Sequence, residues 1–131
     1  MTSEHFAADE LKCRHCGVNM CRQELLTALE DLRALVGRPI HVNDAYRCPV
    51  HNAAVGGAPN SEHMLGLAAD IRIEGMTPAE MYKVARQVPA FKGIGVAEHQ
   101  NYIHVDVRAA EARWCYDATG KTCAWDKGLD A

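Results

Sequence analysis

The chain has 131 residues, 48% of them hydrophobic and 24% charged, which is ordinary usage for one globular domain. A formal charge of -3, with basic residues scattered and not in runs, excludes an electrostatic footprint for nucleic acid or anionic lipid, and no apolar run approaches the ~20 residues that a bilayer span requires. The opening MTSEHFAADELKC has neither a basic n-region nor an apolar h-region, so no export signal is expected, and the size is compatible with a monomer.

Six cysteines are many for such a chain. Cys13, Cys16 and Cys21 lie close together near the N-terminus, Cys48 stands mid-chain, and Cys115 and Cys123 flank a turn-like stretch near the end. Cys13-x-x-Cys16 with Cys21 and either Cys48 or His15 suits a structural zinc or iron site, but the second C-x-x-C pair of a zinc ribbon is absent. Disulfides or free thiols are the expected state, with Cys115 to Cys123 a feasible bridge.

From Gln23 to Val36, Leu25, Leu26, Leu29, Leu32, Leu35 and Val36 recur at helical spacing, and Gly37 and Pro39 stop the helix. Arg38 to Tyr46 reads as a strand in which Ile40 and Val42 alternate with His41 and Asn43, ended by Arg47-Cys48-Pro49. A short helix is expected over Asn52 to Val55, then a loop containing Gly56, Gly57, Pro59, Asn60 and Ser61. Gly66 to Ile73 is an apolar strand interrupted by one acid, Asp70. Thr77, Pro78 and Glu80 mark the N-terminus of a helix running to about Val88. Strands over Gly93 to Ala97 and Tyr102 to Val107 flank the connector Glu98-His99-Gln100-Asn101 as a hairpin, and alternation puts Tyr102, His104 and Asp106 on one face. The class this predicts is α+β: a small, mainly antiparallel sheet with packed helices, formed by one domain over 1–131, with a cysteine-containing segment at 1–22 and an extension at 109–131.

Catalytic zinc usually takes three protein ligands from His, Asp and Glu and keeps a fourth position for water. His63 ends the turn-rich loop, Asp70 follows in the apolar strand, and His104 stands on the polar face of the last predicted strand. The segment Ser61-Glu62-His63-Met64-Leu65-Gly66-Leu67-Ala68-Ala69-Asp70 resembles the S-x-H-x-x-G-x-A-x-D signature of the zinc D-Ala-D-Ala carboxypeptidases and related endolysins. Ile103-His104-Val105-Asp106-Val107-Arg108 resembles the downstream H-x-D segment of that family, and Tyr46-Arg47-Cys48-Pro49 with His51-Asn52 resembles its Y-R element. The similarity runs from about Leu25 to Arg108 and is closest to short bacterial and phage members.

The resemblance implies a zinc peptidase of the hedgehog/DD-peptidase fold acting on peptidoglycan peptides. It implies that His63, Asp70 and His104 bind Zn2+, and that Arg47, beside Tyr46, meets the substrate's carboxylate or polarised carbonyl. Ser61 is expected to fix His63 through a hydrogen bond, and Asp106 to orient a ligand. Many relatives place an acid three residues before the last ligand histidine, whereas this chain has Asn101 there. Glu98, at a spacing that resembles the hedgehog domains, is then the expected general base, with His99 second. Asp44-Ala45 replaces the small S-G pair that commonly precedes the family's Y-R step, which changes a pocket wall. A zinc-bearing binding module that has lost its base is the alternative reading.

Overall fold

A computed structural model describes residues 2–57 and 61–130, so Pro59 and Asn60 of the expected loop lie outside the described residues. In chain order the elements are α1 (Ala8–Leu11), α2 (Gln23–Val36), β1 (Ile40–Asp44), α3 (Pro49–Ala54), a 3-10 turn (Glu62–Leu65), β2 (Ala68–Ile73), α4 (Pro78–Ala85), β3 (Gly93–Ala97), β4 (Tyr102–Asp106), β5 (Ala112–Tyr116), β6 (Thr122–Cys123) and a closing 3-10 turn (Lys127–Asp130). The strands form one sheet in the order β1-β2-β4-β3-β5-β6. Each neighbouring pair is antiparallel except β3 and β5, which run parallel. The class is the α+β one expected from the sequence.

Helix α2 buries Leu25, Leu26, Ala28, Leu29 and Leu32, the stripe that its spacing predicts, while Leu35 in the last turn is exposed. Gly37 closes the helix in the left-handed region at φ 63°, its N–H donating to the Arg33 carbonyl. In α4 the Thr77 hydroxyl accepts from the Glu80 N–H while the Glu80 carboxylate accepts from the Thr77 N–H, a capping box. The helix ends at Ala85, earlier than expected, because Pro89 disfavours helical backbone at Val88, and the chain continues through tighter turns to the buried Phe91.

Sheet register divides the side chains between two faces. Ala69, Ile71, Ile94, Val96, Ile103 and Val105 meet across β2, β4 and β3 and join α2 and α4 in the core. On the opposite face a row crosses four strands, with Asp70 opposite His104, His104 opposite Gly95, and Gly95 opposite Trp114. The next row places Ala68, Asp106, Gly93 and Ala112 side by side. Residues 109–131, expected as an extension, therefore supply two strands of the sheet.

Candidate metal centre

The row from Asp70 to Trp114 is the floor of the site, and His63 reaches it from the 3-10 turn. Ser61 caps that turn, its hydroxyl accepting from the His63 N–H at 3.2 Å. Gly66 ends it at φ 72°, where a Cβ would come within 2.0 Å of the Met20 carbonyl oxygen, so only glycine lets the turn close against the segment leading into α2. Arg22 then ties the turn down, its N–H and Nε donating to the Gly66 and Leu65 carbonyls.

His63, Asp70 and His104 are all buried. His63 Nδ1 donates to the Ala45 carbonyl at 2.6 Å, and His104 Nε2 donates to Asp106 Oδ2 at 2.6 Å. These outward commitments turn His63 Nε2 and His104 Nδ1 toward one oxygen, Asp70 Oδ1, at 3.2 and 3.1 Å. The ligand atoms of the three residues lie within 4.8 Å of one another. Burial alone would raise the Asp70 carboxyl, but the His63 and His104 imidazoles outweigh it and hold the group far below the usual carboxylate range. Burial would likewise lower His104, yet its hydrogen bonds to Asp106 and Asp70 raise it to about 9. Two imidazole nitrogens and a carboxylate converging on one point, and drawing positive charge into it, fit a divalent metal of the zinc type.

Asp106 is fully buried behind His104. Its carboxylate also takes Arg108 in a two-pronged contact, Nε to Oδ1 at 2.8 Å and Nη2 to Oδ2 at 2.7 Å. Burial pushes this carboxyl up, but His104 and Arg108 hold it below the usual range. The Arg108 guanidinium lies 4.9 Å from the Trp114 ring, which in turn packs 5.1 Å from His104. Gly95 makes this possible, since a Cβ there would sit 2.4 Å from the indole nitrogen.

Above the cluster opens a cavity of about 1000 Å³, whose walls include Arg47, Glu62, Tyr102, Trp114 and Tyr116. Arg47 is anchored three ways: Nε to Asp44 Oδ2 at 2.6 Å, Nη1 to Asn52 Oδ1 at 3.1 Å and Nη2 to Asp70 Oδ2 at 3.3 Å. Gly57 must be small for this, because a Cβ there would meet Asn52 Oδ1 at 2.1 Å and Arg47 Nη1 at 2.8 Å. Asp44, which replaces the family's small residue, thus serves to hold Arg47.

The expected site residues do not all meet here. Tyr46 packs against the core and does not line the cavity. Glu98 and His99, expected as base candidates, line a separate cavity of about 310 Å³ with Cys115 and Asp126. The reason is register: Ala97 pairs with Tyr102, so the connector begins beyond the strand ends, roughly two residues or ~7 Å along the strand from His104. Asn101 belongs to that turn, in the left-handed region at φ 59°, a conformation asparagine tolerates better than most residues. The sequence reading missed Tyr102, Trp114 and Tyr116 as cavity walls. The alternation in Ala112-Arg113-Trp114-Cys115-Tyr116 is the signal that marks the last two as one strand face.

An α+β sheet that presents two histidines and a carboxylate at the base of an open cavity fits a metal-dependent hydrolase domain. Residues 2–106 match the model of the family Peptidase M15, and the chain belongs to that family of zinc metallopeptidases. It is similar to a zinc D-Ala-D-Ala carboxypeptidase of Streptomyces albus G, with 35% identity over 80 residues, or 59% of this chain. The chain spans 31% of the length of that relative. Among the described residues no helix is long and apolar enough to cross a membrane.

Proposed function

We propose that this chain hydrolyses peptidoglycan stem peptides at a terminal D-alanine, as a zinc D,D-carboxypeptidase. The observation that carries the reading is the anchored Arg47 beside the His63, Asp70 and His104 cluster. Three of the five N–H donors of a guanidinium are used by Asp44, Asn52 and Asp70, which leaves two for a ligand in the cavity. A peptide's terminal carboxylate matches such a pair, and holding it there sets the last peptide bond over the cluster.

In this reading His63 Nε2, Asp70 and His104 Nδ1 hold the metal. Zinc held there would supply a Lewis acid for the carbonyl and a bound water whose pKa is lowered to about 7. The side chains around it do the rest. Glu62 and Asp70 are the carboxylates that line the cavity among the described residues, and Asp70 is committed to the histidines and Arg47. Glu62 therefore takes the role first expected of Glu98, accepting the proton of the attacking water and returning it to the leaving amine. Tyr102, which burial pushes up to about 12, stays protonated and donates its O–H to the developing oxyanion. Trp114 and Tyr116, and not the expected Tyr46, form the wall against which the peptide lies.

The test is release of D-alanine from purified pentapeptide muropeptides by the zinc-loaded chain, with Glu62→Gln, Glu98→Gln and Arg47→Ala compared. Glu62→Gln is expected to keep its zinc and lose roughly 10²–10⁴-fold in turnover, and Arg47→Ala to raise KM for the free-carboxylate substrate. Loss of turnover in Glu98→Gln instead would return the base to the connector. Cleavage of cross-linked dimers without release of D-alanine would make the enzyme an endopeptidase, and zinc without turnover of either substrate would leave a wall-peptide binding module.

A further inference from the structure

Two of the cysteines near the N-terminus, Cys13 and Cys16, converge on Cys48, which is 35 residues from Cys13 in the chain. After α1 the chain makes a tight turn in which the Cys13 N–H donates to the Val18 carbonyl and the Gly17 N–H returns to the Cys13 carbonyl. Gly17, at φ 75°, provides the left-handed step that brings Cys16 back beside Cys13. From the other side, Cys48 caps α3, its sulfur accepting from the His51 N–H at 3.5 Å while its own N–H points at Cys13 Sγ at 3.4 Å. The Sγ atoms of Cys13, Cys16 and Cys48 lie within 4.8 Å of one another. His15, on the same turn, places Nδ1 3.6 Å from Cys48 Sγ, with its ring stacked parallel to that of His51.

From this cluster we infer a second zinc site, in which the Cys13, Cys16 and Cys48 thiolates and His15 Nδ1 form a closed Cys3His set. One disulfide would pair two of three convergent sulfurs and strand the third, whereas a soft tetrahedral cation takes all three and the imidazole. The Cys48 N–H aimed at the Cys13 sulfur favours the thiolate form there, which metal binding needs. The remaining cysteines stand apart: Cys21 is buried with its thiol on the Leu11 carbonyl, and Cys115 faces Cys123 across β5 and β6.

The site has a structural consequence for the cavity. Cys48 follows Arg47, whose N–H donates to the His63 carbonyl, and Tyr46 donates to the Leu11 carbonyl. Metal bound there fastens the N-terminal segment to the strand end that carries Arg47. On this inference Cys13, Cys16 and Cys48 are metal ligands, where the sequence led to an expectation of disulfides or free thiols.

The experiment uses the full chain, reduced, and reads metal instead of turnover, so its outcome is separate from that of the peptidase reading. Wild type is expected to carry two zinc ions, and a His63→Ala/His104→Ala variant one. Cobalt(II) added to that variant after zinc removal should give the near-ultraviolet thiolate-to-cobalt charge-transfer band and the strong visible bands of tetrahedral cobalt. Both should be lost in Cys16→Ser and Cys48→Ser, and His15→Ala should shift the visible bands. Should the cysteine variants fail to fold, the double-histidine variant alone decides. Cobalt bound without the charge-transfer band, no metal in that variant, or a disulfide among Cys13, Cys16 and Cys48 in the mass spectrum of the chain as purified would overturn the site.

Discussion

Asp106 touches neither solvent nor the cavity, yet the geometry of His104 rests on it. Its carboxylate fixes the ring through Nε2, and Gly93 makes room for it, since a Cβ at that position would come within 2.2 Å of Asp106 Oδ1. Gly93→Ala must push the carboxylate aside, and Asp106→Asn weakens the orienting contact. Each is expected to lower zinc affinity by roughly 10–100-fold in a chelator competition, and wild-type affinity in Gly93→Ala would show that Asp106 does not position His104. At this scale the clustered histidines and Asp70 are legible in the sequence as a candidate ligand set, because an acid in an apolar strand and a histidine on an alternating strand stand out from their neighbours. Trp114 is not, because it reaches His104 only across Gly95, whose missing side chain is a vacancy that one-dimensional spacing does not reveal.

Elements closed by their own local chemistry could be read directly. Helix α2 with its Gly37 cap, the Thr77 and Glu80 capping box of α4, and the β3–β4 hairpin all follow from contacts a few residues apart. The 3-10 turn bearing His63 and strand β5 could not, since the turn is held by Arg22 and β5 by a strand some twenty residues earlier. The closing 3-10 turn depends on a similar distant contact. Asp130 accepts from Tyr82 Oη, from Trp125 Nε1 at 2.8 Å and from Arg86 Nη1 at 3.0 Å. The Tyr82 and Trp125 hydrogen bonds, with Arg86, hold its carboxyl below the usual range. A depressed carboxyl pKa stabilises the folded form above the unfolded value of about 3.9 and loses that contribution as pH falls through the folded value. The Trp125 fluorescence is therefore expected to change in an acid step below about pH 4, and Asp130→Asn to remove that step; an unchanged step in the variant would assign it to another acid.

For the molecule as a whole, the C-terminal strands are part of the sheet and not an appendage. β5 covers the outer edge of β3 and brings Trp114 and Tyr116 to the cavity, while Leu129 and Trp125 pack on the core. Deleting the chain after Arg108, close to where the match to the family ends, would strip a buried strand of its partner. The deletion also removes the buried Leu129, worth about 1.5–3 kcal/mol, and the half-buried Trp114, Cys115, Tyr116 and Trp125, a sizeable loss against a domain's whole net stability of about 5–15 kcal/mol. The truncated chain is expected to lose its cooperative melting transition by circular dichroism; an unshifted transition would make residues 109–131 dispensable for the fold.

The sequence by itself determined the class of fold, the principal helices and the hairpin, and which histidines and acid could serve a metal, because periodicity, caps and donor chemistry are written in near neighbours. Only the tertiary structure decided that Glu98 faces a different cavity, that Arg47 is held by Asp44, Asn52 and Asp70, and that Cys48 meets Cys13 and Cys16. Those outcomes depend on strand register, on a parallel pairing and on glycines that admit a neighbour's side chain, and each joins residues whose distance along the chain carries no sign of the contact.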